Sequence, residues 1–394
     1  MSNLGYARVR EHYVNEATIG RVGVVIGLAA FIVALPPFGA NAAWVPVFVG
    51  LIAIAAGVWV LSRGMRRPGW TAIGFGIVGI GLGVLATRSS TDNLDQVVVW
   101  SALLSATLVW ATPLTFAAIG GMFSERSGVV NIGLEGMMLA GAFFAALGTD
   151  KFGHWYMGLL TAAVAGAAFA AVHAVMAIQL RADQIVSGTA INFLALGVTG
   201  YFFIDIYGEN GTPGDLSRIP DVNIGFLGSV FGHLNLMIWV VFGLLILTQV
   251  ILFRTPVGLR IRSVGEHPRA ADTVGIPVYR IRYICVILSG ILAALGGAYL
   301  SIGFVGSFGQ NMTAGRGFIA LAAVIFGKWR PYGAFGACLL FGFASGLADR
   351  LQSVAGVSPN LLNTLPYVLT LIALVGLVGR SRPPAADGQP YVKG

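Results

Sequence analysis

The feature that most constrains this chain is a recurrence of apolar runs close to 20 residues long. They fall at 20–36, 43–62, 70–87, 97–120, 129–148, 156–180, 185–207, 234–253, 283–304, 316–327, 332–348 and 361–379. About 20 mostly apolar residues in helical form cross the hydrocarbon layer of a bilayer. Charged residues make up 10% of the chain and hydrophobic ones 56%. No water-soluble interior hides that much apolar surface, so the chain is expected to be an integral membrane protein. Long unbroken runs, rather than short alternating segments, select helices over a barrel. The expected fold is an all-α polytopic bundle of about 10–12 transmembrane helices. The run 316–327 is short and 332–348 marginal. This pair is expected to be broken or re-entrant, beside a central cavity. The 55 glycines fit the same picture, because small residues let helices approach closely in lipid.

Charge placement orients the bundle. The net charge of +8 does not signal nucleic acid, because the arginines sit in short loops between apolar runs, the positive-inside pattern. Arg63, Arg66 and Arg67 place one loop inside. Asp92 and Asp95 mark the next as outside. The loop 254–282 carries Arg254, Arg260, Arg262, Arg269, Arg280 and Arg282 and reads as cytoplasmic. Both chain ends are then cytoplasmic, and the N-terminus reads as an uncleaved lead. Cys285 and Cys338 lie in apolar runs far apart, as small buried hydrophobes without a disulfide or metal role.

Residues 1–96 hold about three apolar runs with few polar groups at membrane depth, and read as an added helical segment. The polar features begin after Val97. Asn131 and Glu135 lie four apart within SERSGVVNIGLEGMMLAGAFFA, on one face of a helix. The glycines at 128, 133 and 136 loosen that helix. Polar groups at this depth face a cavity or another helix, so Asn131 and Glu135 either meet a solute or tie helices together. Arg181 to Gln184 read as a turn, after which Ser187, Thr189 and Asn192 enter an apolar run. Asn192 offers both a donor and an acceptor. It serves either a polar solute or an interhelical bond. Arg316, in FGQNMTAGRGF, suits lipid poorly and points into protein or water.

The loop from Gly258 to Pro277 predicts a short surface helix. Pro268 fits its start and Gly275 its end. Ala270 and Ala271 give it a small-residue face suited to a cleft in another protein. A solvated basic loop is the plainer alternative. No GxxxxGK[ST], HExxH, CxxC or GxSxG occurs, and Glu266-His267 lacks a second histidine at ligand spacing. An active site is not expected in this chain.

Four segments in order, SERSGVVNIGLEGMMLAGAF, LRADQIVSGTAIN, GLRIRSVGEHPRAADTVGI and GRGFIALAAVIFGKWRPYGA, resemble ABC-importer permeases of the branched-chain amino acid/ribose type. Within that group they are most similar to the nucleoside-uptake subfamily, over about 97–380. The resemblance implies a permease domain at 97–380 followed by a cytoplasmic tail at 381–394. It implies two ATPase subunits that bind ATP and magnesium, none being bound by this chain. It implies a second and different permease subunit, a substrate-binding lipoprotein outside, and a bacterial plasma membrane location. The loop 254–282 then holds the coupling helix, with Ser263, Glu266, His267, Arg269, Ala270, Ala271 and Gly275 at the ATPase. Asn131, Glu135, Thr189, Asn192 and Arg316 become candidates for the substrate pathway. Nucleosides are polar but uncharged, so hydrogen-bonding groups suit them. A branched-chain amino acid or sugar permease of the same fold stays open, as does an ion-coupled secondary transporter. The family's usual members begin near Val97, which leaves residues 1–96 without an implied role.

Overall fold

The computed structural model describes residues 22–27, 29–30, 33, 44–88, 100–208, 211–224, 228–352, 364, 366–368 and 381–393. The chain divides into two compact units. One comprises 1–104 with 343–380, the other 105–342 with 381–394. Most of the run expected at 361–379, and nearly half of the one at 20–36, lie outside the described residues.

In the first unit, α1 (Trp44–Ser62) and α2 (Arg66–Arg88) form an antiparallel helical hairpin. Gly57 of α1 faces Gly69 and Ile73 of α2, and Gly50 faces Ile80. Val24, from the helical residues 22–27, packs with Ala72 and Phe75. Trp44, Phe48, Trp59 and Trp70 remain exposed, as lipid-facing aromatics do.

The second unit holds most of α3 (Trp100–Arg126), then α4 (Leu134–Phe152) and α5 (Trp155–Ala174), which continues as a π turn to Gln179. Next come α6 (Gln184–Tyr207), α7 (Leu236–Arg254), and the short pair α8 (Pro256–Glu266) and α9 (Pro268–Thr273). Then α10 (Val278–Ala298) continues as a π turn to Val305, followed by α11 (Arg316–Phe326) and the first half of α12 (Pro331–Gln352). A small antiparallel ribbon, β1 (Asp221–Asn223) with β2 (His233–Asn235), closes the loop before α7. Asn235 ends that ribbon and caps α7, its side-chain oxygen accepting from Met237 N–H at 3.1 Å.

The axis of this unit is α4. Fourteen of its 19 residues are buried, so it meets protein rather than lipid on nearly every side. It packs on α5, α6 and α10. Small residues make this possible: a Cβ on Gly136 of α4 would stand 2.8 Å from the Ile191 carbonyl of α6, and one on Gly141 would run into the Ala294 backbone of α10. Helices in lipid gain no hydrophobic drive from meeting each other, so close approach with many dispersion contacts holds them.

Seven described helices are long and apolar enough to cross a membrane: α1, α3, α5, α6, α7, α10 and α12. The protein is a polytopic all-α membrane protein. The pair expected to be broken resolves unequally. With 11 residues, α11 spans about 16 Å at 1.5 Å per residue, roughly half the hydrocarbon layer. The marginal run 332–348 lies in α12, whose 22 residues are long and apolar enough to cross by length and composition. Its Gly, Ala and Ser residues had diluted the apolar signal without stopping the helix. Lys328 and Trp329, between α11 and α12, both adopt positive φ, 56° and 53°.

Candidate functional site

Helix α3 ends at Arg126 and α4 begins at Leu134. Between them runs an irregular, mostly buried stretch whose backbone groups cannot all pair within a helix. Gly128 turns the chain with φ +86°, a conformation that side chains with a Cβ resist. Ser124 and Ser127 bond back into the break, at 2.6 Å to Val129 O and 2.7 Å to Ser124 O. The rest of the break is stitched by side chains from its neighbours. Gln184 accepts from Val130 N–H at 2.7 Å. His173 Nε2 lies 3.1 Å from Val130 O and its Nδ1 2.6 Å from Ser187 Oγ. A carbonyl only accepts, so in the neutral ring the proton sits on Nε2 and Ser187 donates to Nδ1. Asn192 spans the break's end: its amide donates to Ile132 O at 3.0 Å and its oxygen accepts from Gly136 N–H at 2.7 Å.

Asn131 is fully buried and donates to Ser289 Oγ at 2.9 Å. Its Oδ1 has no partner, nor has Gln184 Nε2, and both atoms are buried. The break therefore consumes most of its polar side chains in holding itself, with two polar atoms left unspent.

Glu135 points elsewhere. One carboxyl oxygen accepts from Thr313 Oγ1 at 2.6 Å and Gly315 N–H at 2.8 Å, the other from Gly317 N–H at 2.6 Å. Gly315 and Gly317 straddle the start of α11, which has no side-chain cap of its own. Glu135 thus caps from α4 the orphan donors of a second helix. Gly317 must be small, because a Cβ there would stand 2.5 Å from the Glu135 backbone. Arg316 sits on protein, as expected: Nη1 donates to Met312 O and Thr313 O at 2.8 and 3.1 Å, and the guanidinium lies 4.9 Å above the Trp110 ring. Thr189 bonds only within its own helix, to Ile185 O at 2.8 Å. Asn131, Glu135 and Asn192 are gathered around the break and α11, whereas Thr189 is not drawn in. His173 and Ser289 were missed in the sequence. A lone histidine in the run 156–180 was the available signal.

The predicted surface helix is present as two pieces. Thr255 caps α8, accepting from Gly258 N–H at 3.2 Å. Pro268 opens α9, and Gly275 follows its end with φ +82°. Glu266, His267, Arg269 and Ala270 are exposed, and Ser263 is half-buried with its hydroxyl on Arg260 O. Ala271 faces inward, packed with Val264, Val278 and Tyr391, so Ala270 is the small residue on the outer face. The buried end of α8 reaches the break: a Cβ on Gly265 would stand 3.3 Å from Gly128 N and crowd Arg126. The turn between α11 and α12 is pinned to the same end of α3. Arg126 donates to Trp329 O at 2.8 and 3.2 Å, and Trp329 Nε1 donates to the buried Glu125. Among the described residues no cluster of His, Cys, Asp or Glu is arranged to hold a metal.

A broken axial helix, a half-length helix and a paired surface helix all lie within one sequence match. Residues 103–374 match the family described as the branched-chain amino acid transport system / permease component. The chain belongs to this permease family. Over 317 residues the permease is 47% identical to the guanosine ABC transporter permease NupQ of Bacillus subtilis, covering 76% of this chain and 99% of NupQ. It is 40% identical to the nucleoside ABC transporter permease NupC of Lactococcus lactis, covering 73% of this chain and 95% of NupC. It is 35% identical to TsgC13, a putative glucose ABC transporter permease of Haloferax volcanii, covering 70% and 91%. More distant matches, at 25% and 22% identity, come from the same Bacillus and Lactococcus strains as the first two: the permeases NupP and NupB. No solved structure matches the permease.

Proposed function

We propose that this permease is the membrane-embedded subunit of an ATP-binding-cassette importer that carries nucleosides. The observation that carries the reading is the 47% identity to a guanosine permease along 99% of that protein. In this reading ATP and magnesium are bound by two partner ATPases, and this chain performs no hydrolysis. A lipoprotein delivers substrate from outside. NupP beside NupQ, and NupB beside NupC, support a second and different permease as partner. The subunit sits in a bacterial plasma membrane among lipids with both ends cytoplasmic, and nucleic acid has no part.

The exposed face of α8 and α9, with Ser263, Glu266, His267, Arg269 and Ala270, meets the ATPase, and Ala271 and Gly275 hold its shape. The substrate pathway runs beside the break. Asn131 and Asn192 supply its polar character, and the unspent Asn131 Oδ1 and Gln184 Nε2 suit a solute that is polar but uncharged. Glu135 and Arg316 shape the wall of that pathway, and Thr189 extends it along α6 away from the break. Transport follows alternating access: ATP and delivered substrate favour different conformations, and only such differential binding drives the switch.

A sugar reading has one specific support, the 35% identity to a putative glucose permease. Competition on the assembled transporter in proteoliposomes separates the two. Labelled guanosine uptake that needs ATP, and that adenosine and uridine reduce while glucose and leucine do not, is the expected result. Uptake of glucose in place of guanosine would install the sugar reading.

A further inference from the structure

The segment 381–393 is not a loose end. Ala386 N–H donates to Gly265 O at 2.9 Å, and Ala385 N–H to Glu266 at 3.1 Å. The Gln389 carbonyl accepts from Arg282 Nη1 at 3.1 Å and the Tyr391 carbonyl from the Tyr279 hydroxyl at 3.3 Å. Ser381 donates to Ile325 O of α11 at 2.9 Å. The Tyr391 ring stands 5.3 Å from that of Tyr279 and completes the small core under α8 and α9. Arg282 is 1% exposed. A guanidinium at such burial needs partners, yet its Nε and Nη2 have none. The hydrogen bond it does make is to the segment, which also brings Asp387 close enough to act on it through space.

Three elements converge on one residue of the break. A Cβ on Gly128 would stand 2.8 Å from Arg282 Nη2, 3.2 Å from Ala386 O and 3.4 Å from Gly265 Cα. The segment thus holds Gly265 from above, through its carbonyl, while its own backbone covers Gly128. It is also one wall of a cleft of about 470 Å³ whose other wall is α9. Gln389, Pro390 and Tyr391 face His267, Arg269 and Ala270 across it.

We propose that residues 385–391 are positioning residues for coupling. They clamp Gly265 of α8 onto Gly128, so that displacement of the α8–α9 pair is transmitted to the helix break instead of being absorbed at the Thr255 and Gly275 ends of the pair. The proposal rests on the reading of α8 and α9 as the ATPase contact. It assigns a role to a segment outside the sequence match, which stops at residue 374.

The test uses the complete importer, with its ATPases, second permease and lipoprotein, in proteoliposomes. One variant lacks residues 384–394. The other, Ala386→Pro, keeps the segment but removes the donor to Gly265 and fixes φ at that residue. The readout is nucleoside taken up per ATP hydrolysed, beside ATPase copurification and hydrolysis rate. Expected is a fall in uptake per ATP of about fivefold or more, with copurification and hydrolysis retained. Unchanged uptake per ATP in Ala386→Pro overturns the proposal, and this variant alone decides it if the truncated chain does not assemble. Loss of uptake and hydrolysis in equal proportion also overturns it, since that reports damage without uncoupling. If the unmodified chain copurifies with no ATPase, the importer reading itself has failed, a result distinct from either.

Discussion

Asn192 makes two hydrogen bonds to the backbone of the break, and each leaves a buried group stranded if the side chain is lost. Stranding a buried donor or acceptor costs about 1–3 kcal/mol. Asn192→Leu is therefore expected to lower the thermal midpoint of the detergent-solubilised protein as well as uptake. A fall in uptake with an unchanged midpoint would mark Asn192 as a solute contact alone. Glu135 predicts a graded pair. Glu135→Ala strands the Gly315 and Gly317 donors and is expected to destabilise more than Glu135→Gln, which keeps one acceptor oxygen; thermal unfolding of the two variants checks the order. These roles were half legible in the sequence. The helical spacing of Asn131 and Glu135 put them on one face, yet Asn131 lies in the break and the helix begins only at Leu134. Asn131 then turns to Ser289 while Glu135 reaches Thr313, about 180 residues onward. No local pattern encodes a cap supplied by a distant helix.

At the scale of elements, two glycines with the same backbone sign predict different outcomes. Gly275 has φ +82° and open space around its would-be Cβ. Gly275→Ala should cost only the left-handed strain, about 1–2 kcal/mol. Gly128, at φ +86°, also faces Arg282 and Ala386. Gly128→Ala should therefore destabilise more than Gly275→Ala in the same melting assay. Seating of the 381–393 segment should also depend on pH. Burial pushes the Asp387 carboxyl up from 3.8 to about 7, against the opposing pull of Arg282 and the Gly388 N–H. Between those values the docked segment binds more protons than the free one, so docking weakens as pH rises through that window and levels off above it. Hydrogen exchange at Ala386, corrected for intrinsic rate, is expected to be slower at pH 5 than at pH 8, and Asp387→Asn should flatten the difference. The surface helix was legible from Pro268 and Gly275 because caps are local signals. The strap across it was not, because its bonds come from carbonyls and amides that any sequence carries.

For the whole molecule, membrane class and helical content followed from the apolar runs, since lipid forces every backbone group to be paired within its own segment. Helix α4 departs from the rule that an apolar run faces lipid. It is buried by its neighbours and carries Glu135, Asp150 and Lys151, so hydropathy alone does not reveal its central place. The division of the chain, in which residues 343–380 group with 1–104, pairs segments far apart in sequence and has no signature in composition. At this scale the importer reading predicts an obligate assembly. Expressed without its second permease, the chain should support no ATP-dependent guanosine uptake, and co-expression should restore it; uptake assays on the two preparations check this.

The trans cap at the start of α11 limits what kind of machine this unit is. A helix of 11 residues, about half the length that crosses a bilayer, looks like a natural plug, free to slide along its own axis. Its first donors, however, are fastened to Glu135 of the axial helix, and the turn beyond its far end is bolted to α3 through Trp329. A slide of even one residue would break both fastenings at once. In the importer reading, any opening and closing of this unit is then expected to carry α11 along with α4, as cargo on the same block.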